Sequence, residues 1–189
     1  MWELYAFLLL LIFFHVSEFS LSYYFHPTTT SKSSWLISTP YVVAMILAFT
    51  EYFVELTFFT FKTSPRYNVI SVIGLFVVIL ADAFRKLSII TAGRSFTHQI
   101  AVNKSSQHSL VTSGIYAFSR HPSYFAWFWW SIGTQILLKN PLSCVAYAIV
   151  SWRFFADRIP YEEQFLVKFF GQDYISYRNR VPTRIPFIK

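Results

Sequence analysis

Five apolar runs constrain this chain before anything else: residues 2–25, 36–61, 68–90, 122–138 and 141–157. A helix needs about 20 largely apolar residues to cross a bilayer. The first three runs meet that length. The last two are shorter, and Asn140-Pro141 separates them. Asn-Pro is a turn signal, so the pair predicts a tight helical hairpin. The pattern predicts an all-α integral membrane protein with about five transmembrane helices and a C-terminal helical hairpin. Composition agrees, because only 13% of the 189 residues are charged and 54% are hydrophobic. A soluble domain averages about 25% charged residues, so this chain has too little charge to cover a water-facing surface.

The net charge of +7 does not call for nucleic acid. No nucleic-acid-binding motif accompanies it, and basic residues collect on the cytosolic side of spans anyway. With the C-terminus cytosolic, only Lys62, Arg66 and Lys139 fall on the opposite side. The reverse orientation inverts that bias, so the rule selects a cytosolic C-terminus. The sequon Asn103-Lys104-Ser105 then faces the cytosol and stays unmodified. The apolar start, Trp2 to Phe14, carries Glu3 instead of a cationic lead, so it reads as a retained span. The single Cys144 forms no internal disulfide or metal cluster. The C-terminal "RIPFIK" is not a prenylation box. The length suits one domain, with N-terminal spans over 1–91 and a second region over 92–189.

Charges inside spans are costly and are functional hypotheses by default. His15 and Glu18 are three apart, Glu51 and Glu55 four apart, and Asp82 precedes Arg85 and Lys86. The spacing predicts local pairs, Asp82 with Arg85 among them, that hold the bundle together. The competing reading is an ion pathway in a small transporter.

The longest polar stretch, residues 91–120, has interleaved apolar residues and no clean period. A loop of this length between membrane helices is functional when it is not disordered. It ends in "SRHPSYFAWFWW", where Pro122 suits a first helical turn. The free N–H groups of such a turn, beside Ser123, favour an anion. His121 and Tyr124 add polar groups at the membrane surface. The plainer reading of the motif is an interfacial anchor. Further on, "RFFADRIPYEE" places Arg158 and Glu162 four apart, on one helix face if Pro160 does not break the run. Phe165, Leu166, Phe169 and Phe170 then recur at helical spacing before Gly171. That pattern predicts a separate amphipathic helix lying at the cytosolic interface.

Taken together, "LVTSGIYAFSRHPSYFAWFWWSIGTQILLKNPLS" and "WRFFADRIPYEEQFLVKFFGQDYISYRNRVPTRIPF" closely resemble the isoprenylcysteine carboxyl methyltransferase family. The likeness runs from about Gly93 to Ile188, and "HVSEFSL" adds a loose match near the N-terminus. It implies a multi-pass enzyme of the endoplasmic reticulum membrane with a cytosolic cofactor pocket. The enzyme would transfer a methyl group from S-adenosylmethionine to the C-terminal carboxylate of a prenylated cysteine. Its partners would be prenylated CaaX proteins such as small GTPases, together with membrane lipid. By motif match, His108, Ser109, Leu110, Val111, Tyr116, His121, Pro122, Ser123 and Tyr124 would contact the cofactor, and Glu162 would complete that pocket. Arg158 would bind the substrate carboxylate. Ala101 stands where relatives carry a polar side chain, and no role is carried over to it.

The chemistry suits these residues. A C-terminal carboxyl has a pKa of about 3.3–3.7 and is already a nucleophile at neutral pH. No general base is needed, and no Ser-His-Asp or Cys-His pattern is evident. The alternative is a phospholipid N-methyltransferase, which shares the Arg-His-Pro-x-Tyr and Glu-Glu elements but methylates an amine. An arginine clamp for a carboxylate has no place there. A membrane sterol reductase resembles the C-terminal half less well, because Ser123 and Ala126-Trp127 depart from its pattern.

Overall fold

The structure is a computed structural model that describes residues 1–104 and 108–189. Ser105 of the sequon lies outside the described residues. The elements are α1 (Trp2–Phe25), α2 (Thr39–Phe58), α3 (Asn68–Ala92), α4 (Ile115–Phe118), α5 (Pro122–Leu137), α6 (Pro141–Phe170) and α7 (Gln172–Arg180). No strand occurs among the described residues. Three helical segments are long and apolar enough to cross a membrane: Trp2–Phe25, Lys32–Phe58 and Pro65–Ser95. Their outward faces stay apolar and exposed, as at Leu9, Ile12 and Phe13 on α1 and Val72, Ile73 and Phe76 on α3. Such faces suit lipid, in which association depends on close packing and internal polar contacts.

Close packing is provided by glycine. A Cβ on Gly74 of α3 would lie 2.2 Å from Leu137 N and 2.7 Å from Ile136 C in α5. A Cβ on Gly133 of α5 would lie 2.8 Å from Val77 Cγ1 of α3. The missing side chains let the two backbones meet, and α3 makes its most extensive helix contact with α5. In turn α5 packs on α6, while α1 lies against α3 and α2 against α6. The core of the α5–α6 seam is Phe128, Ile132, Phe155 and Ile159, closed from the C-terminal tail by Ile185.

The short turn from α5 to α6 is clasped by buried charge. Lys62 Nζ donates to Leu138 O and Lys139 O at 2.8 Å each, and to Asn140 Oδ1 at 2.6 Å. It also pairs with Glu55 at 2.8 Å. Lys139 Nζ returns a bond to Lys62 O at 2.7 Å and pairs with Glu3 at 3.1 Å. The helix start at Pro141 lacks a side-chain cap of its own. Glu51 of α2 supplies one, accepting from Leu142 N at 2.7 Å and Ser143 N at 2.6 Å. Glu51 and Glu55 therefore have structural partners, each on a different element.

Three expectations need correction. The first concerns Pro160, which does not end a helix, because α6 continues through it to Phe170. Proline removes one helical hydrogen bond. Phe155, Ile159 and Glu163 share an inward face on both sides of it and are all buried, which holds the helix together. The stretch from Phe165 to Phe170 is thus the end of α6 rather than a separate interfacial helix; only the short α7 follows. Second, Asp82 pairs with Lys86 at 3.1 Å, whereas Arg85 reaches Glu18 on α1. Third, His15 does not bond Glu18; it bonds Trp35 O at 2.7 Å and Tyr41 Oη at 2.8 Å. For Arg85 and His15, partners on other elements took the place of the expected sequence neighbour.

Candidate active site

A cavity opens where the 91–120 stretch, the start of α5 and the far end of α6 meet. It holds about 900 Å³ counting its open mouth.

The loop contributes His108, Ser109, Leu110 and Val111 to the wall, and α4 contributes Tyr116. Tyr116 donates to Ser88 O at 3.3 Å, while its own carbonyl accepts from Tyr177 Oη at 2.7 Å. Burial pushes its phenol above the ordinary range, so it remains protonated. The α5 start adds His121, Pro122, Ser123 and Tyr124, and α6 adds Glu162. All ten residues assigned to a cofactor pocket by resemblance therefore line one cavity. Ala101, given no role from sequence, also lines it.

Two neighbouring glutamates have different environments. Glu163 Oε1 accepts from Arg120 Nε at 2.6 Å and from His121 Nε2 at 3.0 Å. A carboxylate only accepts, so His121 donates from Nε2. Burial would raise the Glu163 pKa, but the hydrogen bonds from His121 and Arg120 override it and hold the carboxyl at about 2. Glu162 Oε2, by contrast, is buried without a hydrogen-bond partner among the described residues. The nearest ring nitrogen, His121 Nδ1, is 3.6 Å away. A buried carboxylate oxygen left this way is costly unless a ligand completes it.

Arg158 is not in the cavity wall but stands one residue behind it. Its Nε donates to Tyr124 Oη at 2.8 Å, and its Nη2 donates to His98 O at 2.8 Å. Nη1 makes no hydrogen bond among the described residues, which leaves it available to an anion. Arg158 and Glu162, four apart on α6, form no ion pair among the described residues, because Arg158 turns to α5 and the loop instead. Tyr124 joins the two regions. Its ring stacks on His121 with 2° between planes and lies 5.0 Å from the Phe155 ring.

Sequence reasoning missed several contributors. Arg120 is not an exposed anchor at a lipid surface; it is buried, pairs with Glu163 and bonds Val181 O at 3.1 Å. Phe165, Leu166, Phe169 and Phe170 form an aromatic and apolar wall of the cavity. Their helical spacing was visible, but not the surface they cover. The C-terminal tail also braces the site, with Arg120 N donating to Pro182 O at 3.1 Å and Ser119 Oγ to Thr183 O at 2.7 Å.

Fold and site together define a helical membrane protein with a cavity lined by polar and aromatic residues at one end of its bundle. The particular family follows from comparison. Residues 72–168 match the model of the isoprenylcysteine carboxyl methyltransferase (ICMT) family. Protein-S-isoprenylcysteine O-methyltransferase B of Arabidopsis thaliana is 48% identical over 95% of this chain and 91% of its own length. The protein-S-isoprenylcysteine O-methyltransferase of Homo sapiens is 44% identical over 93% of this chain and 62% of its own length. A solved structure of a eukaryotic intramembrane Ras methyltransferase superposes with a TM-score of 0.92 at 44% identity. It covers 96% of this chain, which spans 65% of that one. The chain belongs to the isoprenylcysteine carboxyl methyltransferase family.

Proposed function

We propose that this protein methylates the C-terminal carboxylate of prenylated cysteine, using S-adenosylmethionine, at the cytosolic face of the endoplasmic reticulum membrane. Its acceptors would be processed CaaX proteins such as small GTPases. The C-terminus is cytosolic in this reading, and α5 and α6 complete five spans with α1, α2 and α3. The observation that carries it is the arrangement of two unlike anchors on either side of Tyr124. Glu162 offers an unpartnered carboxylate oxygen in the cavity, and Arg158 offers an uncommitted guanidinium nitrogen beside it.

The cavity residues fit the cofactor's chemistry. Glu162 suits a cationic group of the donor, the Phe165–Phe170 wall suits a purine ring, and the polar loop suits a ribose. S-adenosylmethionine, when bound, supplies an electrophilic methyl on a positively charged sulfur. Arg158 holds the acceptor carboxylate as a planar charged fork, which lysine does not reproduce. The carboxylate is ionised at neutral pH and needs no base to activate it. The apolar wall excludes water, which favours a reaction in which opposite charges are lost. Alignment of the two reactants is worth up to about 7–11 kcal/mol. Overly tight binding of the carboxylate would slow the reaction, because the ground state carries the larger charge. A prenyl chain reaches this edge from lipid while the donor arrives from water.

The test uses the full chain in lipid vesicles with labelled S-adenosylmethionine and N-acetyl-S-farnesylcysteine. Glu162→Gln is expected to raise KM chiefly for the donor, and Arg158→Lys chiefly for the acceptor. Equal effects of both substitutions on both substrates would overturn the assignment of roles. A phospholipid amine acceptor is disfavoured, because Arg158 would repel its ammonium form.

A further inference from the structure

A carboxylate in the first helix reaches the residue that aims Arg158. Glu18 is fully buried in α1. Its Oε1 accepts from Arg85 Nε at 3.0 Å and Lys86 Nζ at 2.8 Å. Its Oε2 accepts from Arg85 Nη2 at 2.8 Å and His98 Nε2 at 2.8 Å. Asp82 takes the remaining contact of Lys86 at 3.1 Å. Two carboxylates thus face two cations and His98. Nε2 of His98 carries a proton, because a carboxylate only accepts.

The backbone of His98 faces the other way. Its carbonyl oxygen is the acceptor for Arg158 Nη2. His98 lies in irregular chain between the turn at Gly93–Ser95 and α4, so no helix or strand fixes that carbonyl. The side chain ties that carbonyl to the bundle, locked on Glu18 and packed edge-on against Phe96 at 5.2 Å, while His26 Nε2 bonds Phe96 O at 2.7 Å and Thr97 Oγ1 donates to Gln99 O at 2.7 Å on either side. Arginine has a long stem whose rotamer freedom must be suppressed before its fork can align a substrate. Tyr124 Oη holds one point of the guanidinium and His98 O holds a second; two points define its plane. Removing the second leaves the group free to swing about the first.

We propose that His98, anchored on Glu18, is a positioning residue that sets the plane of the Arg158 guanidinium for the acceptor carboxylate. The proposal rests on Arg158 being the carboxylate clamp. It gives the N-terminal helices a part in acceptor recognition. The plain alternative is that Glu18 only neutralises Arg85 within the bundle, where Arg85 Nη1 also bonds Ser123 Oγ at 2.8 Å.

The two are separated by steady-state kinetics of the full chain in lipid vesicles, comparing wild type, His98→Ala, His98→Gln and Arg158→Lys. Glutamine carries an amide N–H at the reach of Nε2, and so can still bond Glu18. His98→Ala is expected to raise the KM for N-acetyl-S-farnesylcysteine about tenfold, with the donor KM changed by less than about twofold. His98→Gln should restore the acceptor KM to within about threefold of wild type. If His98→Ala does not fold, His98→Asn takes its place, because its amide is too short to reach Glu18. An unchanged acceptor KM, an equal rise in both KM values, or a failure of glutamine to restore function would each overturn the proposal. Arg158→Lys reports separately on the clamp. If its acceptor KM rises while that of His98→Ala does not, only the positioning role falls. If Arg158→Lys leaves the acceptor KM unchanged, the clamp itself falls.

Discussion

Arg158 and Tyr124 are joined across the α5–α6 seam, with Nε donating to the phenolic oxygen at 2.8 Å and the guanidinium carbon 5.3 Å from the ring centroid. The same ring stacks on His121, so a single aromatic side chain separates the cavity from the arginine behind it. Tyr124→Phe keeps the ring and removes the bond. A hydrogen bond to a charged group contributes about 1.5–3 kcal/mol, so kcat/KM for the acceptor should fall at least about tenfold. The same loss should lower the melting temperature by roughly 3–12 °C. Kinetics on the purified variant, alongside thermal unfolding, check both parts.

Glu163 predicts an acid limit to stability. Its carboxyl is held at about 2 against an ordinary value of 4.5. Between those values the unfolded chain binds more protons than the folded one, so stability rises with pH there. The contribution is complete above the unfolded value and is lost as pH falls toward the folded one. Glu163→Gln should therefore be less stable than wild type near neutrality, and the gap should narrow toward about pH 3. Thermal unfolding over that pH range reads the difference. A constant gap would contradict it.

Glu51 caps α6 from another helix. Glu51→Ala leaves the N–H groups of Leu142 and Ser143 without that acceptor. Loss of a charged cap should cost about 1–2 kcal/mol of stability. Because the cap lies at the opposite end of α6 from Glu162, neither KM should move. Denaturation and kinetics on the same preparation test this separation.

Gly74 tolerates no side chain where α3 crosses α5. Its added methyl would meet backbone atoms of Leu137 rather than a flexible side-chain end. Gly74→Ala should thus cost about 3 kcal/mol or more, at the severe end of overpacking. The check is the yield of folded protein and its melting temperature.

Sequence made the helices legible because membrane spans announce themselves by length and apolarity. The α5 start was legible through Pro122, and the short turn through Asn140-Pro141. Motif likeness assigned ten residues to a cofactor pocket, and the structure gathers those residues around one cavity. The partners of buried charge were not legible. Helical spacing reveals neighbours three and four apart, but Arg85 finds Glu18 at a separation of 67 residues and Arg120 finds Glu163 at 43. Pro160 misled for a related reason. The tertiary contacts of Phe155, Ile159 and Glu163 outweigh the one hydrogen bond it removes.

The most direct measurement is the chemical identity of the methylated product. The purified chain in vesicles would receive labelled S-adenosylmethionine with N-acetyl-S-farnesylcysteine and phosphatidylethanolamine together. Base-labile methyl ester on the prenylcysteine, with the lipid amine unlabelled, is the predicted result. Label on the lipid amine, or on neither acceptor with the protein folded, would contradict the account.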